Sequence, residues 1–222
     1  MFPPLEVVDL GRRPYLEVLD RQRALRLARI DGTLPHDMLL LVEHEPVYTL
    51  GRGTRATSLP LPIESLRAQG AEVVEIERGG DVTWHGPGQL VGYPILHLSR
   101  HREDLHWYLR TLEQALIDAL GTLGIPAARI EGKTGVWTDH GKIASLGIHV
   151  KQWVTLHGFA LNINPEMRWF EQIVPCGLDG VTMTSVAREL GGTRDDASLW
   201  NDTRVATVRA FGNAFSLRPH EG

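Results

Sequence analysis

Five leucines, Leu105, Leu109, Leu112, Leu116 and Leu120, recur at three- and four-residue intervals. That is the period of one helix face, so the pattern predicts an amphipathic helix over Asp104 to Leu123. A second helix is predicted from Tyr15 to Ile30, with Pro14 at its first turn, and a third from Ser198 to Phe215. Pro62 to Gln69 reads as a brief helix stopped at Gly70. Elsewhere the apolar residues alternate or form short runs. Leu5 to Leu10, Asp37 to Val42, Val47 to Leu50, Ala71 to Glu77 and Leu90 to Leu98 are predicted strands. So are Ala127 to Glu131, Thr134 to Thr138, Lys142 to Lys151 and Val154 to Asn162. Asp139-His140-Gly141 and Gln152-Trp153 fall between strands as hairpin turns. Strands and helices mix without regular βαβα alternation, so the fold class is α+β.

Composition narrows this picture. A length of 222 residues suits one domain over 1–222, and no repeat or linker divides it. The formal charge of −4 argues against a dedicated nucleic-acid binder, which needs a basic face. No apolar run approaches the ~20 residues that span a bilayer. The Met1-Phe2-Pro3-Pro4-Leu5-Glu6 start lacks the basic and apolar regions of a signal peptide, so a cytoplasmic location is expected. One cysteine, Cys176, can make neither an internal disulfide nor a zinc site by itself. It lies between Pro175 and Gly177 after the apolar Ile173-Val174. A tight non-helical segment of that kind suits a presented nucleophile better than a buried small side chain.

The densest chemistry lies in Arg78-Gly79-Gly80-Asp81-Val82-Thr83-Trp84-His85-Gly86-Pro87-Gly88-Gln89. Glycines let a ligand approach bare backbone, so a Gly-Gly pair beside an arginine and an imidazole suggests a binding loop. A decorated β-turn is the plainer alternative. Lys142 opens a strand whose next residues, Ile143 to Gly147, are apolar or small. A lysine pressed against such surface loses hydration and becomes a usable base. It could equally be a charge that blunts a sheet edge. Lys133 is a rival lysine, able to orient substrate. His85 and His157 are the imidazoles nearest the glycine-rich motifs, and a Cys–His pair is a competing mechanism.

Three separated motifs, in one order, give the chain a family resemblance. Arg78 to Gln89 resembles the signature of the lipoyl(octanoyl) transferases, relatives of the biotin and lipoate protein ligases. Gly141-Lys142-Ile143-Ala144-Ser145-Leu146-Gly147 is similar to that family's lysine motif, and Pro175-Cys176-Gly177 to its nucleophile motif. The likeness runs from Glu43-His44-Glu45-Pro46 to the Val186 region, which makes it far more specific than one motif. Trp84 departs from the pattern, standing where tyrosine often appears. The resemblance implies the biotin/lipoate ligase catalytic fold, a mixed sheet backed by helices.

It also implies an activity: octanoyl transfer from octanoyl-acyl carrier protein to a lysine of a lipoyl domain. The acceptors would be the lipoyl domains of 2-oxoacid dehydrogenase E2 subunits and the glycine cleavage H protein. Cys176 would carry the acyl group and Lys142 would pair with it, with no metal, nucleotide or other cofactor. A thiolate suits this work because its acyl product is again a thioester. The acyl pocket would use Arg78, Gly79, Gly80, Asp81, Val82, Thr83, Trp84 and His85. It would also use Ser145-Leu146-Gly147 and Gly158-Phe159-Ala160. Backbone N–H groups near Cys176 and Gly79-Gly80 are candidates for an oxyanion hole. The rival readings are an ATP-dependent lipoate or biotin ligase, and a non-catalytic acyl-binding module on the same fold. The arginines of the N-terminal region, Arg12, Arg13, Arg21, Arg23, Arg26 and Arg29, do not share one helix face and read as a solvated surface rather than a docking patch.

Overall fold

A computed structural model describes residues 2–174, 181–192 and 196–222. Cys176, the expected nucleophile, therefore lies outside the described residues.

The chain opens with β1 (Pro4–Arg13), α1 (Tyr15–Asp31), β2 (Asp37–His44) and β3 (Val47–Leu50). A short helix α2 (Ile63–Ala68) leads to β4 (Glu72–Glu75), β5 (Thr83–His85) and β6 (Gln89–Ile95). The leucine-striped segment is α3 (Leu105–Thr122), capped by the Asp104 side chain, which accepts from the Trp107 N–H. Then come β7 (Ala128–Ile130), β8 (Lys133–Thr138), β9 (Gly141–Lys151) and β10 (Val154–Asn162). The chain closes with α4 (Val186–Glu189), α5 (Asp196–Phe215) and β11 (Arg218–Glu221).

Among the described residues the main sheet has the order β11-β1-β2-β6-β10-β9-β8-β7. β1 pairs in parallel with β2 and β11, and the other neighbours are antiparallel. Helices cover both faces, which explains why β2 reads as a continuous apolar run instead of alternating. Leu39 and Leu41 pack with Leu112, Leu116 and Phe211 beneath α3 and α5, while Met38, Leu40 and Val42 pack with Val18 and Leu19 of α1. A smaller sheet, β4-β3-β5, holds its own aromatic cluster of Tyr48, Trp84, Trp169 and Phe170. The mixed α+β architecture predicted from the pattern is the one observed.

Three differences matter for function. The glycine-rich motif is not one loop: β5 lies inside it and pairs antiparallel with β3. β9 is flanked by β8 and β10, so Lys142 is not a sheet-edge charge; it is 1% exposed. The N-terminal arginines are not all solvated. Arg29 is buried against Asp37, whose other oxygen meets the His101 ring, and Arg23 grips Glu77.

Candidate active site

β9 and β10 set the frame of the site. Their antiparallel register places Ser145 opposite Ala160, Leu146 opposite Phe159 and Gly147 opposite Gly158. These residues line a cleft on the α1 face of the sheet with about 480 Å³ of atom-free space, part of it continuous with solvent. Arg78, Gly80, Asp81, Val82, Thr83 and His85 line it from the Arg78 loop and β5, and Tyr15, Val91, Tyr93 and His157 complete the lining. Both glycine-bearing strands and the Arg78 loop thus meet in one cavity. Gly147 serves packing as well as access, since a Cβ there would stand 2.9 Å from Arg78 Cδ and 3.2 Å from the Gly79 carbonyl.

Two of the residues expected in the pocket do not line it. Strand alternation in β5 sends Thr83 and His85 to the cavity and Trp84 to the opposite side. There Trp84 is fully buried and stacks on Trp169, ring centroids 5.9 Å apart and planes 8° from parallel. Gly79 is exposed, and its N–H donates to the Ile148 carbonyl at 3.0 Å, so it is not available as an oxyanion donor. Arg78 does line the cleft, yet its guanidinium is tied to β3. Its Nη2 donates to the Thr49 carbonyl at 2.7 Å and to Thr49 Oγ1 at 3.0 Å. Asp81 accepts from Ser58 Oγ at 2.6 Å and from the Val82 N–H at 2.6 Å.

Lys142 sits on the same strand, three residues before Ser145. Its slot is made by Gly135 of β8, whose φ of +130° already requires glycine. A Cβ on Gly135 would lie 2.5 Å from Lys142 Cε and 3.3 Å from Nζ. Glu113 of α3, fully buried between Arg110 and Arg129, fixes this point of β8 by accepting the Gly135 N–H at 3.1 Å. The Lys142 ammonium lies 5.5 Å from the Trp137 ring centroid, and Lys133 lies 5.4 Å from the same ring. The backbone of Lys142 is clamped as well: its N–H donates to Thr182 O at 2.8 Å and its carbonyl accepts from Thr184 N at 3.0 Å. On the other flank of the Cys176 segment, the Val174 N–H donates to Ser58 O at 3.0 Å.

Neutral imidazoles and tyrosines cluster beside and behind the cleft lining. Burial depresses His44 to about 4, against a weaker opposing hydrogen bond to the Arg13 carbonyl. It depresses His85 to about 3, helped by the nearby His44. It depresses His157 to about 3, with Glu77 opposing. His85 Nδ1 meets Gln89 Oε1 at 2.7 Å, and Gln89 Nε2 in turn donates to Asn162 Oδ1 at 2.9 Å. The Gln89 oxygen can only accept, so His85 carries its proton on Nδ1. His44 Nδ1 likewise faces the Arg13 carbonyl, and its Nε2 accepts from Tyr93 Oη at 2.8 Å. Tyr15 stacks on His85 with planes 7° from parallel. Nothing in the sequence marks Tyr15, Val91 and Tyr93 as cleft residues, because an aromatic or valine in an apolar run looks like core until the sheet register is known.

Among the described residues no group of three or more His, Cys, Asp or Glu side chains could hold a metal ion, and no helix is long and apolar enough to cross a membrane.

Comparison with known proteins follows the same lines. Residues 14–210 match the family model described as the lipoyl protein ligase A/B catalytic domain. The octanoyltransferase of Geobacter sulfurreducens is 51% identical over 187 residues, covering 84% of this chain and 76% of the relative. That of Nostoc sp. is 46% identical over 207 residues, covering 93% and 90%. Among solved structures, a putative lipoate protein ligase from T. acidophilum superposes with a TM-score of 0.72 at 14% identity, covering 99% of this chain and 88% of that one. P. falciparum LipL1 in complex with lipoate gives 0.75 at 13% identity, covering 98% and 66%. At that identity the structural likeness bears on the fold alone.

Proposed function

The chain belongs to the lipoyl protein ligase A/B catalytic-domain family, and from that premise we propose that residues 1–222 form a single octanoyltransferase domain. It moves an octanoyl group from octanoyl-acyl carrier protein to the lysine ε-amine of a lipoyl domain, in the cytoplasm. The acceptors are the lipoyl domains of 2-oxoacid dehydrogenase E2 subunits and of the glycine cleavage H protein. The observation that carries the reading is the near-50% identity to octanoyltransferases over most of the chain. The geometry supports it, since the buried Lys142 and the cleft-lining Ser145-Leu146-Gly147 share one strand.

In the first half-reaction the Cys176 thiolate attacks the carbonyl of the carrier's thioester. The carbonyl–sulfur bond to the carrier breaks, its thiolate leaves and takes a proton from Lys142, and the octanoyl group is held on Cys176 Sγ. In the second, the acceptor amine attacks that carbonyl, the bond to Sγ breaks, and an amide forms. As an ammonium Lys142 stabilises the Cys176 thiolate by its charge and gives its proton to the leaving carrier thiolate. As the neutral amine left by that step it takes the proton the acceptor amine releases, and the thiolate–ammonium pair is restored. The glycine slot and the backbone clamp at Thr182 and Thr184 hold Lys142 in one place for both tasks. The cleft holds the octanoyl chain between β9, β10 and the Arg78 loop. Burying each methylene there contributes about 0.8 kcal/mol. The neutral imidazoles of His85 and His157, both on the cleft lining, add no formal charge beside the hydrocarbon.

The test is turnover with octanoyl-acyl carrier protein and a lipoyl domain, with neither ATP nor magnesium added. Octanoylation of the lipoyl domain is expected, with ping-pong kinetics. Strict dependence on ATP with free octanoate would move the protein to the ligase reading.

A further inference from the structure

His157 breaks the strand that carries it. Along β10, Phe159 and Leu161 point into the core beneath α3 and α5, while Ala160 faces α1. Alternation would send His157 the same way as Phe159. Instead its φ is +61°, a left-handed conformation that non-glycine residues seldom adopt inside a sheet. The β6–β10 pairing runs from Asn162 to Phe159 and lapses at that point. The His157 N–H turns to α1 and donates to Gln22 Oε1 at 3.0 Å, and the ring joins Tyr15 in lining the cavity.

The ring is 2% exposed, yet among the described residues neither of its nitrogens has a hydrogen-bond partner. The nearest acid, Glu77, is 4.0 Å from Nε2, beyond hydrogen-bond reach, and is gripped by Arg23. Gln22 Nε2 beside it is also buried and unpartnered among the described residues. Strained backbone and unpaired buried polar atoms on a cavity wall mark a functional position rather than a packing choice.

The register says where this wall stands. Ser145 opposes Ala160, and three rungs further on Ile148 opposes His157. At about 3.4 Å per residue those two rungs are separated by about 10 Å, comparable with an extended octanoyl chain. Lys142 lies three residues beyond Ser145 in the other direction, so His157 is at the end of the cavity away from it.

We propose that His157, backed by Gln22, is the end-stop of the acyl cavity and sets the length of chain the enzyme accepts. The inference rests on the acyl-transfer reading above. A chain whose terminal methyl stops short of the ring leaves it in place. A longer chain must displace the ring, and with it the left-handed backbone that carries it. Length is thereby rejected by volume.

The test compares kcat/KM for octanoyl-, decanoyl- and dodecanoyl-acyl carrier protein in the wild-type chain, His157→Gly and His157→Asn. Glycine and asparagine both tolerate the left-handed backbone, so two variants compatible with that conformation are available. Thermal melts confirm which are folded. The decanoyl-to-octanoyl ratio is expected to rise about tenfold or more in His157→Gly, where the stop is removed, and by less in His157→Asn, which keeps part of the side-chain volume. A loss of activity that is merely structural would lower all three donors alike and leave the ratio unmoved. Ratios within about twofold of wild type in the folded variants would overturn the inference while leaving octanoyl transfer intact. A wild-type chain that transfers no octanoyl group would overturn the acyl-transfer reading and the inference with it.

Discussion

The two ends of the β9–β10 ladder bury polar groups by opposite means. At the Lys142 end a primary amine is kept in a slot cut for it by Gly135, over the face of Trp137 and clamped through its backbone to Thr182 and Thr184. At the His157 end, burial drives imidazoles to their neutral form and leaves one of them without partners among the described residues. One end holds an amine in a fixed place, which the proposed transfer uses to move a proton. The other presents an uncharged ring, which the proposed pocket turns toward the acyl chain. Two paired strands supply both, Lys142 from β9 and His157 from β10, and their register spaces them, with three rungs from Ser145 to Ile148 opposite His157.

Breaking the Lys142 end carries the largest effect. Lys142→Met removes both charge and proton acceptor, and octanoylation of the lipoyl domain is expected to fall about 10³-fold or more. Lys142→Arg sharpens the point. A guanidinium keeps the charge but does not give up its proton, so Cys176 should still be acylated, the leaving carrier thiolate taking its proton from water, while transfer to the amine is lost. Following adduct formation and transfer separately distinguishes the two variants. Equal wild-type rates in both would take Lys142 out of the mechanism.

Gly135→Ala comes next. The new Cβ would overlap Lys142 Cε at 2.5 Å and the Ala144 carbonyl at 2.8 Å, at a φ that alanine avoids. Displacing the amine by about 1 Å is enough to cost on the order of 10²-fold in kcat, with little change in KM. Lost stability of about 1–3 kcal/mol should accompany it. A variant with wild-type kcat would show that the slot does not position Lys142.

The imidazole end is broken by acid. Folded pKa values of about 4, 3 and 3 for His44, His85 and His157 lie below the unfolded value near 6.5. Their contribution to stability is therefore full above pH 6.5 and is lost as pH falls toward the folded values. By pH 5 the loss is about 2 kcal/mol for each imidazole. Denaturant midpoints measured between pH 7 and pH 5 should fall steeply, and less steeply in His157→Asn. A slope that is unchanged in that variant would mean His157 is not held neutral by the fold.

Trp84→Phe should matter least. It touches the β5 side that faces away from the cleft, trims the stack on Trp169, and removes an indole N–H with no partner among the described residues. Stability should shift by about 1 kcal/mol and octanoyl transfer by less than about twofold. A large kinetic effect would place Trp84 back at the pocket.

Much of this was legible in sequence. The leucine repeat marked α3, and the apolar runs marked β2, β9 and β10, because each buries one or both faces of a regular element. The three motifs marked the family, and the lysine and cleft motifs share β9. What the sequence hid depends on long-range geometry. β5 lies within a glycine-rich stretch, and its existence rests on pairing with β3, so the direction of Trp84 could not be read. β11 is a four-residue edge strand with a proline in it, defined only by β1 beside it. Tyr15 and Tyr93 look like core until the register brings them under His44 and His85. His157 was visible as an imidazole next to a glycine motif, but its turn toward α1 comes from a left-handed backbone that no pattern of apolar residues reports.

The central claim is that the acyl group passes through Cys176. It is tested most directly by mixing the chain with octanoyl-acyl carrier protein alone and weighing the intact protein. One octanoyl adduct is expected, released by hydroxylamine, present in Lys142→Arg and absent in Cys176→Ala. An adduct that persists in Cys176→Ala, or turnover in that variant at the wild-type rate, would contradict the account.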